Sequence, residues 1–224
     1  MSNQYDPNKH HRRSIRLKGY DYTQPGAYFV TICTHGRAPL FGRVAGGDMV
    51  PNECGTIVRE EWFRSAEIRD EIELFPDEFV VMPNHVHGIV WIVATVDPAG
   101  YDENVRPMVG AHGRVGAHGR SPLQPHGPAP RSLGSFIAGF KSAVTQRINA
   151  RRGTPGERVW QRNYYEHIIR NERALNAIRR YIIDNPWRWH LDRYNPDAIG
   201  PDPQARAIWH LLRETVQPEE RRKV

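Results

Sequence analysis

Apolar residues along the chain change period several times, and each change predicts an element. Residues 27–34 (AYFVTICT) are β-branched and aromatic and predict a buried strand. Gly46-Gly47 predicts a turn between two short strands. Asn52 precedes Ile57, Val58, Glu61, Trp62 and Ser65 at helical spacing, which predicts a helix over 53–68 with Asn52 as its cap. Two more strands are expected at 78–82 and 85–94, joined at Pro83-Asn84, because proline cannot donate to a central ladder. Ser132 predicts the start of a helix over 133–150, and Val159-Trp160 a short strand. A last major helix is expected over 163–184, stopped by Asn185-Pro186, and residues 203–216 predict one more.

Residues 97–131 break this patterning. They are rich in Gly and Pro and repeat Val-Gly-Ala-His-Gly-Arg at 109–114 and 115–120. Such a composition cannot bury a core and predicts a disordered insertion in a surface loop. A duplication within a loop accounts for His112 and His118 without a metal. The chain thus divides into a flexible basic arm (1–18), one domain (19–190) carrying the insertion, and a C-terminal extension (191–224). The element order predicts an α+β fold, a ferredoxin-like antiparallel sheet with helices on one face.

Composition narrows the class. A chain of 224 residues, 39% apolar, can bury a core without disulfide staples. Cys33 and Cys54 are too few for a disulfide framework, which points to a reducing cytoplasm. Residues 1–18 lack the apolar core of a secretory signal, and no apolar run approaches the ~20 residues that cross a bilayer. A soluble protein without a membrane partner is expected. Lys and Arg outnumber Asp and Glu by 31 to 25. The excess is clustered at Lys9–Lys18, at Arg147–Arg162 and at Arg170–Arg180, a distribution suited to phosphates.

Two segments carry chemistry. In Pro83-Asn84-His85-Val86-His87-Gly88 the histidines are two apart on a predicted strand, so both imidazoles project from one face and make half of a metal site. By itself the triplet reads equally as two histidines at a strand entrance. In Trp160-Gln161-Arg162-Asn163-Tyr164-Tyr165-Glu166-His167, placed on a helix, Tyr164 and His167 share one face. That geometry leaves Tyr165 for packing or a DNA contact and turns Glu166 away. Tyr164 also reads as the start of the apolar stripe continued by Leu175, Ile178 and Ile182.

Together these segments resemble the REP-associated tyrosine transposases of the single-tyrosine HUH superfamily. The resemblance rests on Arg12–Leu17 through Tyr28–Thr34, on Met82–Gly88, and on Trp160–His167 leading to Tyr181-Ile182 and Asn185-Pro186, in that order. It implies an HUH-type nuclease fold and a transposase that cleaves and rejoins single-stranded or hairpin DNA. It further implies Tyr164 as nucleophile, forming a 5′-phosphotyrosine, and a metal held by His85, His87 and His167. The implied ion is Mg²⁺ or Mn²⁺, whereas imidazole donors alone suit zinc or another transition metal better. Arg12, Arg13, Arg16 and Lys18 are expected to contact DNA phosphates, with Arg162 and Arg170 beside the tyrosine, in a monomer or homodimer. Two other classes stay open: a catalytically silent hairpin DNA- or RNA-binding module, and a zinc hydrolase using Glu166 as base.

Overall fold

The computed structural model describes Leu17, residues 19–94 and residues 127–214. Arg12, Arg13, Arg16, Lys18 and the repeat at 109–120 lie outside the described residues. The expected strands β1 (Gly26–Cys33), β2 (Gly42–Ala45), β3 (Asp48–Pro51), then β5 (Phe79–Met82) and β6 (His85–Ile92), and the first two helices α1 (Glu53–Ile68) and α2 (Leu133–Arg152), are present; β4 (Ile72–Glu73) is an additional short strand, and the expected strand at Val159-Trp160 is a single bridge from Trp160 to Thr34. Asn52 accepts a hydrogen bond from Gly55 N and caps α1. Ser132 and Ser135 cap α2 reciprocally, and Gly153 closes it in the left-handed conformation, with φ of 65°.

The fold is α+β around an antiparallel sheet. β1 is central, with β6 on one side and β7 (Tyr165–Ile169) on the other. β5 and β4 pair with the two ends of the far edge of β6. β5-β6-β1-β7 is the order of a split β-α-β fold, as expected. The β5–β6 hairpin turns through Pro83-Asn84, with Met82 opposite His85.

Alternation along β1 makes two cores. Tyr28, Val30 and Ile32 face α1 and α2, where Trp62, Phe136 and Phe140 are buried. Ala27 and Phe29 face the opposite layer, with Ile89, Ile178, Tyr181, Ile182, Ile208 and Leu212. That layer is built by α3 (Glu172–Asp184) and α4 (Pro203–Glu214), so helices cover both faces. The segment beyond residue 190, expected as an extension, carries α4 into this second core.

The chain over 163–184 departs from the single expected helix. Tyr165–Ile169 is a strand whose Thr31↔Tyr165 and Phe29↔His167 pairs fill the free edge of β1. Aromatic and β-branched residues suit a half-buried strand, and pairing along β1 overrides the helical periodicity. α3 then starts afresh at Asn171, whose side chain accepts from Ala174 N at 2.8 Å.

Candidate metal and tyrosine site

The register of the sheet sets the site. His85 and His87 start β6 on the α3 face, opposite Cys33 and Thr31 of β1. Both are fully buried, at 0% and 1% exposure. Their Nε2 atoms are 3.0 Å apart. Each ring is fixed from behind. Asn84 Nδ2 donates to the carbonyls of Tyr194 (2.8 Å) and Arg37 (3.1 Å), which fixes the orientation of its amide. Asn84 Oδ1 therefore faces His85 Nδ1 at 2.9 Å and can only accept, so His85 carries its proton on Nδ1 and presents a lone pair at Nε2. His87 Nδ1 lies 2.8 Å from Thr31 Oγ1.

Asp192 completes a group of three. Its Oδ1 accepts from Tyr194 N at 2.6 Å, and its Oδ2 lies 3.7 Å from His85 Nε2. Donor atoms of His85, His87 and Asp192 all lie within 4.8 Å of one another. Two nitrogens bound at about 2.1 Å to one ion and at right angles would sit about 3.0 Å apart, so the imidazole pair already has the bite of two ligands. The donor set fits a divalent cation.

A tyrosine stands beside this group. Tyr181, on the inward face of α3, places its hydroxyl 3.4 Å from His87 Nε2. Tyr194 and Trp189 close the other side, their rings centred 4.7 and 6.1 Å from that of His85. Arg188, paired with Asp202, anchors the segment that carries them.

Burial dominates the electrostatics. It lowers His87 to about 3 and holds His85 well below its usual value, aided by His87 and then by Arg37. Both rings are thus neutral donors at pH 7. Burial raises Asp192 to about 6, raises Tyr194 to about 12 and raises Tyr181 further. A cation beside Asp192 and Tyr181 would oppose these last shifts by favouring the anionic forms.

The remaining expected residues lie elsewhere, because β7 is a strand. Tyr164 packs against the α1–α2 core, with Lys141 of α2 5.6 Å from its ring centre, on the side of the sheet away from His85 and His87. Tyr165 shares the site face, opposite Thr31, and packs into the second core beside Phe29 and Trp209. His167 also shares that face but pairs with Phe29, itself opposite Ile89. Two strand spacings, about 10 Å, and two residues of offset separate it from His87. His167 therefore lies apart from the candidate group of His85, His87 and Asp192. Glu166 pairs with Val30 and is buried on the α1–α2 face, which removes it as a base beside the histidines. Arg162 is exposed and Arg170 half-buried near the ends of β7.

Neither Tyr181 nor Asp192 is singled out by its immediate sequence neighbours. Tyr181 continues the apolar stripe of Ile178 and Ile182, and Asp192 lies in a mixed tail without a motif. The sequence signal for Tyr181 is its place in Tyr181-Ile182 before Asn185-Pro186, among the segments that carry the family resemblance.

No family model matches the chain. Over 197 residues it is 36% identical to an uncharacterized protein of Haemophilus influenzae, covering 88% of this chain and 100% of that protein. It is also similar to the structure of a REP-associated tyrosine transposase bound to a REP hairpin. The TM-score is 0.46 at 17% identity, over 75% of this chain and 73% of that one.

Proposed function

This chain belongs to one family with the Haemophilus influenzae protein, and we propose that it is a metal-dependent endonuclease of the transposase kind. In this reading it cuts and rejoins single-stranded or hairpin DNA, with Tyr181 as nucleophile. The observation that carries the proposal is the meeting of Tyr181 Oη, 3.4 Å from His87 Nε2, with the convergent donors of His85, His87 and Asp192. In this reading Tyr181 replaces Tyr164 as nucleophile and Asp192 replaces His167 as third ligand, supported by the geometry around His87.

A divalent cation held by His85, His87 and Asp192 would polarise the scissile phosphate and offset the charge developing on it. Two imidazoles in the donor set favour Mn²⁺ over Mg²⁺. Tyr181 Oη attacks phosphorus, forming the O–P bond as the P–O3′ bond breaks. The phenol releases its proton, and the departing 3′ oxygen takes one up. Attack by a 3′-hydroxyl on the phosphotyrosine reverses the sequence and rejoins a strand without an external energy source.

Access constrains the substrate. His85, His87, Asp192 and Tyr181 are each no more than 4% exposed, so a strand reaches them only once the segment from Trp189 to Tyr194 moves aside.

The test is covalent trapping on single-stranded hairpin oligonucleotides with Mn²⁺. A protein–DNA adduct is expected in the wild type, in Tyr164→Phe and in Tyr165→Phe, and none in Tyr181→Phe. An adduct kept in Tyr181→Phe and lost in Tyr164→Phe would return the nucleophile to the residue expected from the sequence. Tight binding with no adduct under any metal would favour the silent binding module.

A further inference from the structure

We infer that Asn84 is a positioning residue that sets the tautomer of His85 and couples this ligand to the segment carrying Asp192. The inference rests on the metal site proposed above but concerns a residue that touches neither ion nor substrate.

Asn84 sits at the second position of the β5–β6 turn and is 1% exposed. Every polar atom of its side chain is engaged, and each bond goes to a different part of the site. Oδ1 accepts from the ligand His85, one N–H donates to Arg37 O in the turn after β1, and the other donates to Tyr194 O. Its own carbonyl accepts from Thr34 N (2.9 Å) and Thr34 Oγ1 (3.0 Å), which holds the turn in place.

An imidazole can coordinate through Nε2 only while its proton rests on Nδ1, and an acceptor fixed behind Nδ1 enforces that state. Asn84 supplies that acceptor. The same amide grips Tyr194, two residues from Asp192, whose Oδ1 accepts from Tyr194 N. The two bonds are not independent, because one planar amide makes both. Moving the covering segment away rotates or releases the amide that holds His85, and ordering His85 on an ion fixes the amide that holds the segment.

Asn84→Asp separates the two functions. A carboxylate keeps an acceptor toward His85 Nδ1 but presents oxygen to the carbonyls of Arg37 and Tyr194. Asn84→Ala removes both, and Asn84→Ser provides a second truncation in case the alanine variant does not fold. Three measurements are made on folded protein: Mn²⁺ affinity by electron paramagnetic resonance, the His85 tautomer by ¹⁵N NMR without metal, and amide exchange over 192–194.

The truncations are expected to weaken Mn²⁺ binding about 10- to 100-fold, in the range for lost outer-shell partners, and to lose the fixed Nδ1–H signature. Asn84→Asp is expected to recover most of the affinity and the tautomer, while exchange over 192–194 quickens as in the truncations. The proposal is overturned if truncation leaves affinity and tautomer unchanged, or if Asn84→Asp does no better than Asn84→Ala. A wild-type protein that binds no Mn²⁺ would sink the metal reading instead, and the metal-free tautomer would still report on Asn84 alone.

Discussion

Gly88 follows the ligand His87 in β6, and its small size is demanded by the opposite face of the sheet. A Cβ there would lie 2.5 Å from Trp62 Cζ2, 2.9 Å from Cη2 and 3.1 Å from Phe79 Cδ2. Carbon atoms in contact sit at about 3.5–4.0 Å, so the indole would have to retreat by about 1 Å. It has nowhere to go. Trp62 is stacked on Phe79 at 4.4 Å and met edge-on by Phe136 and Phe140 at 5.2 Å each. Overpacking of this kind costs about 1–3 kcal/mol, while alanine returns about 0.4–1 kcal/mol by restricting the unfolded chain. Gly88→Ala is therefore expected to lose about 1–2 kcal/mol, measured by urea unfolding, and about 2–8 °C in Tm for a chain of this size. Trp62→Phe removes the part of the indole nearest the new methyl. The double variant should accordingly lose less than the sum of the single losses, by about 1 kcal/mol. A Gly88→Ala protein as stable as the wild type, or two strictly additive losses, would refute a rigid packing limit at this position.

Two further predictions concern β7 and its surroundings. Burial first, and the charge of Arg170 second, lower His167 to about 4. Between pH 6.5 and 4 the unfolded chain binds a proton that the folded chain refuses, so His167 contributes a stability loss as pH falls through that window. At pH 4.5 that loss is about 2–3 kcal/mol relative to pH 7. Asn or Gln at position 167 should abolish this share of the pH dependence, and urea curves at pH 7 and 4.5 that differ equally in wild type and variant would refute it. Lys141 Nζ donates to the carbonyls of Gln161 (2.9 Å), Arg162 (3.3 Å) and Asn163 (3.3 Å). Lys141→Met is expected to cost about 1–2 kcal/mol and to quicken amide exchange over 161–164. Mn²⁺ affinity should stay unchanged because the site lies on the other face of the sheet; unaltered exchange would count against the tether.

Much of the scaffold was legible because its signals are local. Asn52, Ser132 and the Pro83-Asn84 turn mark ends that a few neighbouring residues decide, and the structure has them where the sequence put them. The histidine pair was legible for the same reason, since strand periodicity alone places both rings on one face. β7 was not. Whether Tyr165–Ile169 becomes helix or strand depends on the free edge of β1, over 130 positions earlier, and no window of sequence contains that competition. The error then spread: a helix there brings Tyr164 beside His167, while a strand puts these two side chains on opposite faces. Asp192 was illegible for a related reason. Its role comes from the return of the chain after α3, fixed by Arg188 with Asp202 and by Asn84 with Tyr194 rather than by its immediate neighbours.

Tyr181 reaches His87 from a helix of the same polypeptide, so on the proposed function one chain would supply both the nucleophile and the ligands beside it. On the proposed chemistry, each molecule then has one place to keep a severed 5′ end, and the liberated 3′ end is held only by base pairing and surface contacts. Excising a segment creates two such 5′ ends. A lone molecule must therefore release the first before taking the second, whereas two molecules can hold both at once. On that chemistry, the count of ends would separate a protein that nicks and reseals from one that moves DNA, and would make local protein concentration a determinant of which outcome prevails.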